Sequence, residues 1–163
     1  MADKKSKIKS GIVIAVCLVA IALSVVTLTQ AVPTVLLRAA DGGTVCDGVL
    51  PSVEDELHIT DVPEGEIRYL INKQMVFENP YALGDVMLEN PETCGYDLQF
   101  VIYDTRGEMI YTSPLIKAGQ YLEKDKLTAV VKSGVYNCSY SALAYQNGTL
   151  MGEVNGIVNV TVK

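Results

Sequence analysis

Tryptophan is absent from these 163 residues, and histidine occurs once, as His58. Without tryptophan, the chain lacks the large residue that packs against the inter-sheet disulfide of antibody domains. A single histidine excludes a multi-histidine zinc site and leaves only one imidazole for a triad. His58 stands in a lead-in rich in proline and glycine, with no serine, cysteine or carboxylate at triad or ligand spacing. It reads as a solvated loop residue. P-loop, G-x-G-x-x-G, H-E-x-x-H and EF-hand patterns are missing as well. Acidic pairs such as Glu54-Asp55, or Asp104 with Glu108, have no regular calcium-ligand spacing. No catalytic, cofactor-binding or metal-ligating residue is expected, and the chain reads as non-enzymatic.

Positive charge is scarce beyond the N-terminus. Residues 39–163 hold eight Lys or Arg against eighteen Asp or Glu, a balance of −10. Such a surface repels nucleic acid and anionic headgroups and favours neutral or cationic partners. Its plainest consequence is solubility.

Hydrophobic residues make up 49% of the chain, unevenly placed. "GIVIAVCLVAIALSVVTL", Gly11 to Leu28, is 18 positions without a charge. As a helix it spans roughly 27 Å, close to the ~30 Å of bilayer hydrocarbon. Lys4, Lys5, Lys7 and Lys9 precede it and place the N-terminus in the cytoplasm. The run is longer than a secretory h-region, and Thr29-Gln30-Ala31 is a poor cleavage site. The expectation is a basic leader at 1–9, an uncleaved transmembrane signal-anchor at 10–30, and an extracellular remainder. The alternative is a pilin-like subunit cut after Gly11 and polymerising through its apolar helix. Against it, Val16 stands where pilins carry glutamate, and Pro33 and Gly42-Gly43 interrupt the helix early.

Residues 31–65 read as an acidic linker and lead-in, in which "LHIT" (57–60) is a short strand without a clear partner. From Glu66 the pattern becomes β. "IRYLINKQMVF" is followed by "GDVMLEN", with Val86 and Leu88 on one face. "YDLQFVIYD" places Leu98, Phe100 and Ile102 inward and Asp97 and Gln99 outward. "DTRGE" turns into "EMIYTS"; a short strand lies near Tyr121, and "LTAVVKSG" forms a helical turn. "VYNCSYSALAYQ" meets the last strand through Asn147-Gly148, and that strand ends with Val158, Val160 and Val162 alternating. Six or seven short strands over residues 66–163 predict an all-β, immunoglobulin-like two-sheet sandwich behind the transmembrane helix. Asn137, Asn147 and Asn159 head N-x-S/T triplets, and only Asn147 lies in a turn suited to a glycan.

Three cysteines fall outside the apolar run: Cys46, Cys94 and Cys138. In "SGVYNC", Gly134 and Tyr136 fit a tyrosine corner at the start of the penultimate strand. The competing reading of Tyr136 is an ordinary cross-strand aromatic. Cys138 faces inward there, but the strand "GDVMLEN" offers it no thiol. Cys94, in the next loop, lies at the far end of the sandwich, beyond disulfide reach. The expected disulfide is Cys46–Cys94, with Cys138 a buried free thiol. A shifted strand register would restore Cys94–Cys138.

"GDVMLEN", "DTRGEMIYTSPLIKAGQYLEKDKL" and "SGVYNC" follow the pattern I-x-N, D-x-x-G-x-x-I-Y-x-S, G-x-x-[IL], L and G-x-Y. With these, the run from Ile71 to Val162 resembles small surface proteins of Gram-positive, clostridia-type bacteria. In those, one immunoglobulin-like sandwich follows a membrane helix. Where they carry Pro-Gly at the middle bend, this chain has Ala118-Gly119. The resemblance implies architecture and a cell-surface location, and it brings no catalytic residues. The function expected is a membrane-anchored binding or assembly module. It would meet a surface protein, or itself, through a sheet face or an edge such as the final strand.

Overall fold

The computed structural model describes residues 42–163. The leader, the expected anchor with Cys17, and the first part of the lead-in lie outside the described residues. Among those described, no helix is long and apolar enough to cross a membrane.

Among the described residues eight strands form: β1 Cys46–Asp47, β2 Gln74–Phe77, β3 Gly84–Asn90, β4 Asp97–Tyr103, β5 Met109–Thr112, β6 Gln120–Asp125, β7 Gly134–Gln146 and β8 Thr149–Val162. They make two sheets, one ordered β1-β6-β3 and the other β2-β8-β7-β4-β5. All pairings are antiparallel except β2 with β8, which is parallel. The core lies between the sheets, which makes the domain an all-β sandwich.

Strand alternation decides what fills that core. Val86 and Leu88 meet Leu98, Phe100 and Ile102, all 0% exposed, with Cys138, Ala142 and Ala144 of β7 among them. Val158, Val160 and Val162 also point inward and are buried. β2 pairs with β8 over Asn159–Val162 only, so the expected docking edge is occupied at the end of the final strand, while among the described residues no strand pairs with that side of Thr149–Val158. Its valines belong to the core.

Four further expectations change. Residues 67–73 are not a continuous strand. Leu70 makes a single bridge to Glu89, and the chain then crosses to the other sheet as β2. Asn72 sits at that crossing, donating through Nδ2 to the Asp85 carbonyl. "LTAVVKSG" forms no helical turn, because Thr128 and Ala129 direct their N–H groups to the Ile110 carbonyl instead. The lead-in is no free linker over its described part. It supplies β1, paired with β6, and buries Leu50 and Val62. "LHIT" is not a strand; a single 3-10 turn, Asp55–Leu57, precedes His58.

Candidate functional site

Glu89 alternates outward from β3, where a strand carboxylate would ordinarily meet water, yet it is 1% exposed. The lead-in covers it. Glu89 Oε2 accepts the Leu50 backbone N–H at 2.8 Å and stands 2.9 Å from His58 Nδ1. The His58 side chain is 8% exposed, so it is a buried partner of a carboxylate and not a solvated loop residue. Along the lead-in, Leu50 and Val62 are buried as well and Ile59 is half-buried.

Beside this pair lies a cleft of about 510 Å³. The lead-in forms one wall; the turn between β3 and β4 and the bend at Ala118-Gly119 form the others. Asp47 and Glu92 give it acidic walls, and Val49, Ile59 and Pro91 supply apolar surface. Both Glu89 oxygens are engaged by His58, and one also by Leu50, so the pair fastens the lead-in to β3. Among the described residues, no group of three His, Cys, Asp or Glu side chains is placed to hold a metal ion.

The structure places the remaining sequence-derived residues apart from this cleft. Tyr136 Oη donates to the Lys132 carbonyl at 2.8 Å, four residues upstream, as a tyrosine corner does. A Cβ on Gly134 would sit 3.4 Å from the Tyr136 ring, so the glycine leaves room for it. The Cys46–Cys94 disulfide is not formed: all three described cysteines are free. Cys46 is exposed on edge strand β1, whereas Cys94 is buried in the turn after β3. Hydrogen-bonded backbone at Gly48, Gly119 and Asn90 ties together the segments that carry them. Cys94 and Cys138 stand at opposite ends of β7, since Tyr145, not Cys138, pairs with Asp97. Cys138 is buried in the core, and burial, with the Asp104 charge adding, pushes its thiol up to about 11.

A second surface feature lies on the outer face of the five-stranded sheet. Val76 of β2 pairs with Thr161, which pairs with Val135 of β7, forming a row across three strands. Val135 is 75% exposed, and Ile157, on the same face of β8, is 63% exposed. Asn137, Ser139 and Asn159 surround them. The alternation of β7 places Val135 on this face, but its exposure depends on how far the sheet extends past its neighbours. No known protein family, curated protein or solved structure matches the chain.

Proposed function

We propose that this chain is a membrane-anchored, extracellular and non-enzymatic binding module of a bacterial cell surface. Its sandwich is immunoglobulin-like, and it docks another surface protein through the exposed end of the five-stranded sheet. Support for the immunoglobulin-like reading comes from the strand order. A parallel β2 flanks β8, with β7, β4 and β5 beyond it, as strand A′ flanks G, F, C and C′. The Tyr136 bond to Lys132 adds to it. The uncharged run from Gly11 to Leu28 behind four lysines supports the anchor and the cytoplasmic N-terminus.

The observation that carries the docking reading is the exposure of two aliphatic side chains on one sheet face, Val135 and Ile157. They stand about 14 Å apart along β8 with the Asn137–Asn159 pair between them, and would serve as two separate apolar anchors in a polar contact surface. The acidic balance of the ectodomain favours a neutral or cationic partner surface. Val135→Asp combined with Ile157→Asp tests the assignment by chemical cross-linking on intact cells. The expected result is loss of the adduct formed by the unaltered protein, with thermal stability unchanged. An adduct that survives both charges overturns the proposed face.

A further inference from the structure

Most of the β8 side of the five-stranded sheet has no strand beside it. β2 pairs with Asn159–Val162 alone, which leaves Thr149–Val158, about 33 Å of strand, without a neighbour among the described residues. Other edges are covered: Thr128 and Ala129 donate to the Ile110 carbonyl beside β5, and Leu70 bridges Glu89 of β3. Asn159 N donates to the Lys73 carbonyl, so its backbone groups point away from β7. Strand alternation turns those of Glu153, Asn155 and Ile157 the same way, toward the open side. Native proteins blunt such edges with lysine, proline or short length. This edge holds neither residue, carries Glu153 as its single charge, and is bulged only near the hairpin, beside Met151. Three of its apolar side chains, Met151, Val154 and Ile157, are exposed.

We propose that a second copy of this chain pairs with this edge, β8 antiparallel to β8 about a two-fold axis at Val154. In that register Glu153 lies opposite Asn155 of the second copy, and each such pair exchanges two N–H···O=C bonds. The carboxylate meets an amide, not a charge. Ile157 stands opposite Met151 of the second copy, and the two Val154 side chains meet at the axis. Half-buried Ile67 adds apolar surface on the Val154 side of the sheet, its Cδ1 3.6 Å from where a Cβ on Gly152 would sit. The adjacent registers are disfavoured. An axis one residue nearer the hairpin sets Glu153 against Glu153, a destabilising like-charge pair. An axis one residue the other way brings Met151 of one copy onto Asn159 of the other, where β2 already lies. The contact is isologous, uses up both open edges and closes as a dimer. It leaves the outer face of the sheet free, so docking of another protein at Val135 and Ile157 is a separate contact.

The test uses the full chain in detergent micelles, with Cys17→Ser, Cys46→Ser and a single cysteine moved through positions 151–157. Opposed residues that are not hydrogen-bonded bring their Cα atoms to about 4.5 Å, within disulfide reach. Oxidation is therefore expected to link two chains fastest at position 154. A maximum at any other position, or a link no faster than that of Val135→Cys on the open face, overturns the proposal, as does no link at all. Hydrogen exchange gives a second readout, local to the edge. The Glu153, Asn155 and Ile157 amides should be protected in the unaltered chain and lose that protection in Val154→Lys, which sets two lysines together at the axis. The Cys138 amide, paired across to Val158, should stay protected and report an intact fold. Rapid exchange of the three edge amides in the unaltered chain, or equal protection in Val154→Lys, overturns the proposal.

Discussion

His58 Nδ1 lies 2.9 Å from Glu89 Oε2, and the same oxygen accepts the Leu50 N–H. One carboxylate thereby fastens two points of the lead-in to β3. Glu89→Ala would leave a buried N–H and a buried imidazole without a partner. The expected loss is about 2–4 kcal/mol, because a buried group robbed of its partner keeps its desolvation cost. Glu89→Gln, which keeps an acceptor for Leu50, should lose less. Urea unfolding midpoints of the two variants check the order; equal losses would mean that the bonds to Glu89 are not what holds the lead-in.

Tyr136→Phe removes only the hydroxyl that reaches the Lys132 carbonyl. A loss of about 0.5–1.5 kcal/mol is expected, with the denaturant slope unchanged. A variant as stable as the parent would show that the ring's packing, and not its hydrogen bond, matters at this corner.

The described thiols should separate cleanly in reactivity. Cys46 is exposed; Cys138 is buried, with its pKa pushed up to about 11. A thiol held protonated at neutral pH is a poor nucleophile. Iodoacetamide should label Cys46 in the folded protein, and Cys94 and Cys138 only after unfolding. Intact mass with and without denaturant reads the result, and native labelling of Cys138 would contradict its place in the core.

Asp104 supplies an acid-sensitive contact. Burial opposes its charge, but the Glu108 N–H, the Arg106 side chain and the Arg106 N–H outweigh that and hold its pKa below the ordinary value. A carboxyl with a lowered folded-state pKa stabilises the fold above the unfolded pKa of about 3.9. That contribution is lost as pH falls through the lower folded value. Asp104→Asn should therefore flatten the acid limb of the stability curve. Parallel curves for parent and variant would contradict it.

Gly156 pairs with Tyr140, and a Cβ there would fall 2.6 Å from the tyrosine ring. Gly156→Ala should cost about 1–3 kcal/mol through overpacking. A melting temperature equal to that of the parent would show that the ring moves aside freely.

Alternation made much of the sandwich legible. β3 begins and ends where "GDVMLEN" does, and the inward residues of β4 and β7 follow their period of two. The lead-in was not legible, since its order depends on contacts distant in sequence. Glu89 is 31 residues from His58, and Asp125 is 82 from Gly43. No local pattern marks a strand carboxylate that another segment will cover. The apolar residues scattered among the lead-in's acids, Leu50, Ile59 and Val62, were the available hint. The Cys46–Cys94 expectation failed for a related reason: proximity in topology does not settle which way each thiol faces. The outward placement of Gln99 was correct as register, but register does not report what lies above a sheet.

The most direct test of the account places a photo-reactive side chain at position 157 of the full chain on intact cells. Irradiation is predicted to yield a dominant adduct with another surface-exposed protein, lost when Val135→Asp is added. No adduct at position 157, or one indifferent to the added charge, would contradict docking through this face.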